Sequence, residues 1–419
     1  MTEMTGTAEL TTDVCIVGGG PAGLVLALLL LKSDLRVTVV EKSDSFNREY
    51  RGEILQPGAM ALLDALGVLD DARSRGCHEH DRFQLVEGER VLMDIDYRVL
   101  PKPYDHLLSI PQPHVLDAVR ERCAACPGFE YLGSTRAKEL IREDGPVVGV
   151  TVDGPEGPRS VRARCVVGAD GRYSKIRKLA GIGFQKREMF DFDVLWFKLP
   201  VDESDPGERQ GRRDVRVYRD GGSPAMIYHS YPDRMQIGWM LPHGSYQQLA
   251  SQGIDAVKER IARALPRYAG QIGGEVQRLR DLSLLDVFSG RAERWAVDGL
   301  LLIGDSAHTH SPIGAQGINL AVQDAVAVHP LLVEAVRHKD ASAALLGRFE
   351  LRRAPDIEAI ARLQFMQSKA MLSHGALATR IRPAATRLLK HTPVYRKVLD
   401  RIAYGNRGIE VDTSTFADS

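Results

Sequence analysis

The sequence predicts an α/β protein with a parallel sheet and a second, mostly antiparallel sheet. Within residues 13–42 a buried strand, a glycine-rich turn, an apolar helix and another buried strand follow one another, which is the pattern of a βαβ unit. Between residues 190 and 241, four β-like runs alternate imperfectly between apolar and polar side chains, which is typical of an antiparallel sheet. The hydrophobic fraction of 44% fits a globular chain.

The turn after the first strand has the spacing G-x-G-x-x-G at Gly18, Gly20 and Gly23. The first glycine allows a tight turn, the second lets the backbone approach a pyrophosphate, and the third lets the helix pack closely on the strand. Glu41, followed by Lys42, ends the second strand about twenty residues later, where a carboxylate can accept hydrogen bonds from ribose hydroxyls. These residues predict a dinucleotide site.

The apolar run at 14–31 is not a membrane span. It is interrupted by GGGP and is followed by Lys32 and Asp34, so that only residues 24–31 are continuously apolar, against the ~20 residues that a bilayer requires. The first twelve residues contain Glu3 and Glu9 and no basic segment, which argues against a signal peptide.

The composition of the chain argues against several classes of protein and of binding site. Lys+Arg and Asp+Glu are 55 each, so nothing suggests a nucleic-acid partner; the Arg-rich stretch 380–401 is interpreted as a solvated helix face. Five cysteines in 419 residues do not make a disulfide framework, which favours the reducing cytoplasm. The C-x-x-C at 123–126 lies at a predicted helix end, and the Cys-His-Glu-His run at 77–80 is interpreted as a surface loop, so we expect no metal site.

Turn residues and hydrophobic periodicity divide the rest of the chain. The predicted elements are a helix from Pro57, a hairpin at 82–86 and 91–95, a helix at 113–126, strands at 129–133, 137–142, 147–152 and 160–167, strands at 190–200, 214–219, 225–231 and 235–241, a helix at 254–265, a strand at 297–303, a helix at 317–336, and helical structure from 341 to 404.

Two Gly-Asp pairs follow buried strands. Asp170 and Asp305 each precede a helix, where a carboxylate can accept hydrogen bonds from sugar or ribityl hydroxyls; either pair alone is more often a plain turn. In the order GGGPAG, GADGRYSKIRKLAG and LLIGDSAHTHSPIGAQGINLAVQDA, however, the motifs resemble the three fingerprints of the class A FAD-dependent aromatic hydroxylases, the para-hydroxybenzoate hydroxylase-like flavoprotein monooxygenases.

The resemblance implies a glutathione-reductase-like FAD-binding domain with an inserted mixed or antiparallel substrate-binding sheet and C-terminal helices. The expected FAD-binding domain comprises residues 1–75, 107–182 and 283–345. The expected substrate domain comprises residues 76–106 and 183–282, and a C-terminal helical region follows at 346–419.

The resemblance also assigns roles to residues of this chain. It places Arg51 beside the flavin and Pro312 in the pocket next to it, where the type member has two prolines and this chain has Ser311-Pro312. His310 could take part in proton transfer there, whereas His308 is interpreted as structural. The expected FAD contacts are Gly18, Gly20, Ala22, Gly23, Glu41, Lys42, Arg51, Gln112, Asp170, Gly304, Asp305, Gly314, Ala315, Gly317, Ile318 and Asn319.

The bulky side chains of the second sheet are the candidates for substrate contact. Trp196, Tyr228 and Trp239 would line a mostly apolar pocket if this sheet covers the flavin. The alternative is that each is ordinary sheet core.

The implied activity is hydroxylation of an aromatic, phenolic or polyketide-like small molecule with non-covalent FAD, NADH or NADPH, and O₂ through a flavin C4a-hydroperoxide. A flavin-dependent reductase or dehydrogenase of an unsaturated substrate and a non-catalytic FAD-binding redox partner stay open as alternatives. The W-x-W-x-I-P signature of flavin-dependent halogenases is missing; the comparable stretch is VLWFKLP. Whether the chain is a monomer or a homodimer is left open.

Overall fold

The computed structural model describes residues 9–46, 53–187, 189–201, 213–219, 223–372 and 392–417. The strands are, in chain order, β1 (Glu9–Val17), β2 (Val37–Val40), β3 (Ile54–Leu55), β4 (His78–His80), β5 (Arg82–Glu87), β6 (Arg90–Asp96), β7 (Leu107–Ser109), β8 (Phe129–Leu132), β9 (Arg136–Arg142), β10 (Val147–Gly154), β11 (Gly157–Gly168), β12 (Phe184–Arg187), β13 (Phe192–Pro200), β14 (Asp214–Tyr218), β15 (Ala225–Ser230), β16 (Arg234–Pro242), β17 (Ser283–Leu285), β18 (Ser289–Ala292), β19 (Ala296–Val297), β20 (Leu300–Leu302) and β21 (His308–Thr309).

The α-helices fall largely where hydrophobic periodicity predicts them. They are α1 (Pro21–Lys32), α2 (Pro57–Ala65), α3 (Leu69–Ser74), α4 (Gln112–Ala124), α5 (Lys175–Leu179), α6 (Tyr246–Ala250), α7 (Ile254–Ala264), α8 (Ala269–Glu275), α9 (Gln316–Arg337), α10 (Ala343–Leu372) and α11 (Pro393–Tyr404).

The first sheet is parallel at its centre. Its strand order is β19-β20-β11-β1-β2-β8, and the hairpin of β9 and β10 joins the first half of β11. Strands β2, β1, β11 and β20 run in the same direction. Loops that follow the carboxyl ends of such strands meet at one edge of the sheet, and the glycine-rich turn, Asp170 and Asp305 all lie in these loops.

Helix α1 explains the long apolar run near the start of the chain. It is enclosed by the sheet and by α4 and α9, so that Ala22 to Leu31 are all buried. A helix that is covered on every side needs no polar face, so it is apolar all round. In the described part of the chain, no helix has both the length and the hydropathy needed to cross a bilayer.

The strand predicted at 297–303 is a hairpin. Asp298 and Gly299 form a two-residue turn between the short antiparallel strands β19 and β20. Gly299 has φ +77°, and a Cβ there would lie 1.9 Å from the carbonyl oxygen of Val147. Asp-Gly is a strong hairpin signal, and the prediction overlooked it because the flanking residues are apolar.

The predicted surface loop at 77–80 is also wrong. Residues His78–His80 form β4, an edge strand paired with β7. His80 is fully buried and its Nε2 lies 3.1 Å from the carbonyl oxygen of His229. A backbone partner on β15 therefore accounts for this imidazole.

The second sheet has seven strands in the order β17-β13-β16-β15-β14-β5-β6. Its neighbouring strands are antiparallel except for β14 and β5. Helices α7 and α8 contribute to the apolar cluster on one face, and the other face packs with Ile54, Ile313 and residues of α11. The β5–β6 hairpin thus joins strands more than a hundred residues later in the chain.

Helix α11 is fixed to the start of α9 by side-chain amides. Gln316 Nε2 donates to the Ile402 carbonyl at 2.7 Å, and Gln323 Nε2 donates to the Tyr404 carbonyl at 2.6 Å. Gly58 of α2 lies against the same segment, because a Cβ there would be 2.9 Å from the Tyr404 oxygen. The C-terminal helix is therefore docked beside the segment that precedes α9.

Candidate active site

A cavity of about 1040 Å³ connects the two sheets. One end is lined by the glycine-rich turn and the end of β2, and the other by Ile54, Trp196, Met226, Tyr228 and Leu285. Small-molecule sites are clefts of about 300–1,000 Å³ with mostly apolar walls and a few polar groups. This cavity is slightly larger than that range and is the candidate active site.

Packing requires glycine at two of the three positions of the glycine-rich turn, and the third position faces open space. Gly18 has φ +118°, and a Cβ there would lie 2.3 Å from the Ala169 oxygen. A Cβ at Gly23 would lie 1.9 Å from the Gly18 oxygen, whereas a Cβ at Gly20 meets no protein atom within 4 Å. Gly20 lines the cavity, so its backbone is accessible to a ligand.

Glu41 is held at the end of β2 by backbone N–H groups. Its Oε2 accepts a hydrogen bond from Gly19 at 2.7 Å and its Oε1 accepts one from Ser43 at 2.9 Å. These bonds orient the carboxylate at the edge of the cavity. The side chain lines the cavity although it is 2% exposed.

Asp170 and Asp305 both line the cavity but differ in their partners. Asp170 Oδ2 accepts from the backbone N–H groups of Lys175 at 2.6 Å and Ile176 at 3.0 Å, and Oδ1 accepts from the hydroxyls of Ser174 and Ser306. Asp170 therefore organises the start of α5.

The Asp305 carboxylate has greater capacity for a ligand. Its Oδ2 lies 3.5 Å from an Arg172 guanidinium nitrogen, and its side chain is 32% exposed. Both the exposure and the long ion-pair distance leave carboxylate lone pairs accessible from the cavity.

The segment before α9 directs that helix's N-terminus toward the cavity. Gly314 and Ala315 have φ +74° and +52°, a left-handed pair that ends the preceding turn. The Gly314 oxygen accepts from Gln56 Nε2 at 2.8 Å. Since Ala315, Gly317 and Ile318 line the cavity, the free N–H groups at the positive end of a 22-residue helix lie beside it.

Strand register separates the three aromatic side chains that were predicted to contact the substrate. Trp196 lies opposite Gly238, and its ring would be 2.7 Å from a Cβ at that glycine; Tyr228 is on the same face, and both line the cavity. Trp239 lies opposite Leu195 and belongs to the cluster on the far face, beneath α7 and α8. The prediction for Trp239 is wrong because successive side chains of a strand point to opposite faces.

The remaining predicted residues divide into three groups. Ala22, Lys42, Gln112, Pro312 and His310 line the cavity. Gly23, Gly304, Gly314 and Asn319 are each adjacent in sequence to a lining residue but do not line the cavity themselves; Gly304 and Gly314 lie in 3-10 turns, Gly23 in α1 and Asn319 in α9. Arg51 lies outside the described residues.

Several lining residues from other strands and loops were not predicted, among them Ile54, Ser134, Thr135, Arg136, Lys138, Arg172 and Leu285. Arg136 and Lys138 lie on β9, an outer strand of the first sheet, and bring positive charge to the end of the cavity near Glu41. No local motif marks them, because pairing of β9 through β10 and β11 places them there.

Comparison with known proteins identifies the family. The FAD binding domain family matches residues 11–364. The chain belongs to this family. It is 55% identical over 407 residues to the 6-methylpretetramide 4-monooxygenase of Streptomyces rimosus. This alignment covers 97% of this chain and 96% of that protein. It is 26% identical to the 3-demethoxyubiquinol 3-hydroxylase of Escherichia coli strain K12, over 82% of this chain and 86% of that protein.

Solved structures share the fold of this monooxygenase. The p-nitrophenol 4-monooxygenase PnpA from Pseudomonas putida DLL-E4 superposes with a TM-score of 0.78 at 22% identity, covering 96% of this chain and all of PnpA. Together these relatives confirm the prediction of an FAD-dependent aromatic hydroxylase.

The cavity residues fit FAD. Added Cβ atoms at Gly20 and Gly317 meet no protein atom within 4 Å, so that the backbone at both helix starts is open to a ligand. The Asp305 carboxylate, whose side chain is 32% exposed, retains acceptor capacity for hydroxyl groups, and the Glu41 carboxylate is oriented at the edge of the cavity. Open N–H groups for phosphate and acceptors for sugar are the donor set that a dinucleotide requires.

Proposed function

We propose that this monooxygenase hydroxylates a phenolic aromatic polyketide, with FAD in the cavity between the sheets and NADH or NADPH as reductant. The observation that carries the proposal is the 55% identity, over nearly both full lengths, to 6-methylpretetramide 4-monooxygenase. The apolar end of the cavity, with Trp196, Tyr228 and Ile54, is suited to a flat aromatic ligand.

In this proposal, FAD would extend along the cavity from the glycine-rich turn toward the second sheet. The turn containing Gly20 would hold the pyrophosphate, Glu41 would accept from the adenosine ribose, and Asp305 would accept from the ribityl chain. The residues at the N-terminus of α9 would then bound the flavin ring, and the positive end of this helix would favour a reduced, anionic flavin. Arg51 would lie beside the ring, and Gln112, at the start of α4, would contact the cofactor.

This placement of FAD agrees with a division of the chain into domains. We propose a glutathione-reductase-like FAD-binding domain of residues 1–75, 107–182 and 283–345, with an inserted substrate-binding sheet of residues 76–106 and 183–282 and a C-terminal helical region at 346–419. The pairing of the β5–β6 hairpin with β14 supports assigning residues 76–106 to the substrate domain.

When bound and reduced, FAD activates O₂ for transfer of one oxygen atom to an electron-rich ring. The protein's own residues position and shield the reactants. Trp196 and Tyr228 place the substrate ring, and the apolar walls exclude water from the reacting atoms. Pro312 limits the space beside the flavin.

Asp305→Ala should weaken FAD binding by at least about tenfold, since one lost charged hydrogen bond is worth roughly 1.5–3 kcal/mol. Asp191→Ala is the control, because Asp191 is exposed and lies outside the cavity lining. Fluorescence titration of apoprotein with FAD measures both dissociation constants. Equal constants for the two variants would contradict the placement of the ribityl chain.

Trp196→Ala and Trp239→Ala separate a pocket residue from a core residue. Both side chains are 1% exposed, so each variant should lose about 3–5 kcal/mol of stability. We expect only Trp196→Ala to uncouple the reaction, because Trp239 faces α7 and α8. The ratio of hydrogen peroxide to NAD(P)H consumed reports coupling; tight coupling in Trp196→Ala would remove this face of the sheet from the pocket.

The proposed activity is tested with 6-methylpretetramide, FAD-loaded enzyme and either nicotinamide cofactor. We expect substrate-dependent NAD(P)H oxidation and a product that has gained one oxygen atom. A reduced product without added oxygen would favour the reductase alternative, and no effect of the polyketide on NAD(P)H oxidation would contradict the proposed substrate class.

A further inference from the structure

A buried ion pair lies beside the apolar end of the cavity. Lys198 Nζ lies 3.2 and 3.1 Å from the two carboxylate oxygens of Glu53, and both side chains are 8% exposed. Ser230 Oγ donates to Oε2 of the same carboxylate at 2.6 Å. We call these three residues the Glu53 cluster. Charges at this depth are held in place by their partners, because neither can turn to bulk water instead.

Each member of the Glu53 cluster lies close in sequence to a residue that lines the cavity. Ile54, on β3, directly follows the glutamate. Trp196 on β13 is two residues before the lysine, and Tyr228 on β15 is two residues before the serine. Residues two apart on a strand share a face of the sheet. The cluster therefore joins the three strands that carry these lining residues.

The Glu53 side chain connects two sheets. Its backbone continues the small sheet of β3, β7 and β4, since the Glu53 carbonyl accepts from the Ile110 N–H at 2.9 Å, just after β7. Its carboxylate contacts the lysine on β13 and the serine on β15 of the second sheet. In the proposed division of the chain, the cluster thus spans the boundary between the FAD-binding domain and the substrate-binding sheet.

The Tyr228 hydroxyl touches this connection directly. Its oxygen accepts a hydrogen bond from the Glu53 N–H at 3.4 Å, and the residue lines the cavity. Burial, and then the charge of Glu53, raise the pKa of Tyr228 well above its usual value. The hydroxyl therefore keeps its proton and is able to donate it. The place of this donor in the cavity depends on where Glu53 is held.

The energetics of buried ion pairs indicate a geometric role for the Glu53 cluster. The attraction between two buried charges is largely offset by the cost of removing them from water, and an apolar pair of similar volume is often as stable. Loss of one partner, however, leaves the other charge buried and unpaired. The pair therefore contributes more to the relative position of its strands than to net stability.

We propose that Glu53 and Lys198 are positioning residues for oxygen transfer, whose ion pair holds the walls of the substrate pocket at the separation that the substrate ring requires. Without the pair, Ile54 is released from the sheet that carries Trp196 and Tyr228, and the substrate takes up more than one orientation. The two electrons from NAD(P)H, with two protons, then reduce O₂ to hydrogen peroxide, and the substrate is left unchanged.

This inference rests on the proposed function, and the first test measures coupling with 6-methylpretetramide as the probe at saturating FAD. Lys198→Met removes the cation and keeps the length of the side chain. We expect it to lower the rate of hydroxylation by about tenfold or more, because a small misplacement of oriented groups costs up to about 100-fold in rate. The ratio of hydrogen peroxide to NAD(P)H consumed should rise. Tight coupling in Lys198→Met would overturn the proposal.

The double variant Glu53→Gln/Lys198→Met separates position from stability. Glu53→Gln alone should uncouple the reaction as Lys198→Met does, and each single variant should melt at a lower temperature than wild type. The double variant has no buried charge left, so it should regain most of the lost melting temperature and stay uncoupled. Coupling that returns together with the melting temperature would show that the pair acts only through stability, and would overturn the proposal.

The matched control is Arg216→Met, which removes a cation from another ion pair of the same sheet. Arg216 Nη2 lies 2.7 Å from Asp214 on β14. It is opposite Ile227, which belongs to the apolar cluster on the far face of the sheet, and it does not line the cavity. We expect tight coupling in this variant. Equal uncoupling in Arg216→Met and Lys198→Met would overturn the proposal.

A second test needs no substrate and therefore separates this inference from the proposed function. Oxidised, FAD-loaded protein is labelled with 3-fluorotyrosine, and Tyr228→Phe assigns the ¹⁹F resonance of residue 228. We expect Glu53→Gln and Lys198→Met to shift this resonance and Arg216→Met to leave it in place. An unshifted resonance in the first two variants would overturn the proposal. If 6-methylpretetramide has no effect on wild-type enzyme, the proposed substrate class fails, and the ¹⁹F spectra still decide whether the pair positions Tyr228.

Discussion

Asp324→Asn is expected to lower the free energy of unfolding of the apoprotein by about 3–5 kcal/mol at pH 7, the usual cost of removing one partner from a buried ion pair. Asp324 is fully buried and accepts from Gly304, His308 and Arg353. Its amide would leave the Arg353 guanidinium, 2% exposed, with only the partly buried Asp356 as a counter-ion.

Glu334→Gln is the control on the same helix. Glu334 pairs with Arg348 of α10 at 2.9 Å, but both side chains are 42% exposed, and an exposed pair contributes roughly 0–1 kcal/mol. Urea unfolding of the two apoprotein variants measures the difference. Similar losses in both variants would contradict the assignment of Asp324 as the charge that holds α9, α10 and the segment after β20 together.

Gly20→Val is expected to weaken FAD binding and raise the dissociation constant by about 100-fold or more, which corresponds to about 2.7 kcal/mol of binding free energy. The backbone at Gly20 is extended, with φ −83° and ψ −174°, so valine is compatible with the fold. A side chain here would project into the open space of the cavity, where we place the pyrophosphate.

Gly18→Val and Gly273→Ala are the two control variants for Gly20→Val. Gly18→Val should fail to fold, because a Cβ would lie 2.3 Å from the Ala169 oxygen. Gly273→Ala, on α8 with open space around it, should fold and bind FAD normally. Far-ultraviolet circular dichroism measures folding, and FAD titration measures binding. Normal FAD affinity in Gly20→Val would show that the pyrophosphate lies elsewhere.

Features encoded within a short stretch of the chain could be predicted from the sequence. The spacing of Gly18, Gly20 and Gly23 and the distance to Glu41 are set by one βαβ unit, and the structure places Gly20 and Glu41 on the same cavity. Asp305 is predictable for a similar reason: it follows a strand of the same parallel sheet, so it reaches the same edge.

Features that depend on pairing between distant elements could not be predicted. The side of the sheet that Trp239 occupies is fixed by its register against Leu195, and a shift of one residue would reverse it. Arg136 reaches the cavity through the pairing of an outer hairpin. Asp324 hydrogen-bonds both to His308 and to Arg353 and so joins β21 to two helices, which no sequence spacing reveals.

The most direct test of the central claim, an FAD-dependent oxygen insertion into an aromatic polyketide, is isotopic labelling of the product. FAD-loaded enzyme, NAD(P)H and 6-methylpretetramide are incubated under ¹⁸O₂ in ordinary water, and the product is analysed by mass spectrometry. We expect a product with one ¹⁸O atom, and a product with none when ¹⁸O is supplied only as water. A product whose added oxygen comes from water, or an altered product without added oxygen, would contradict it.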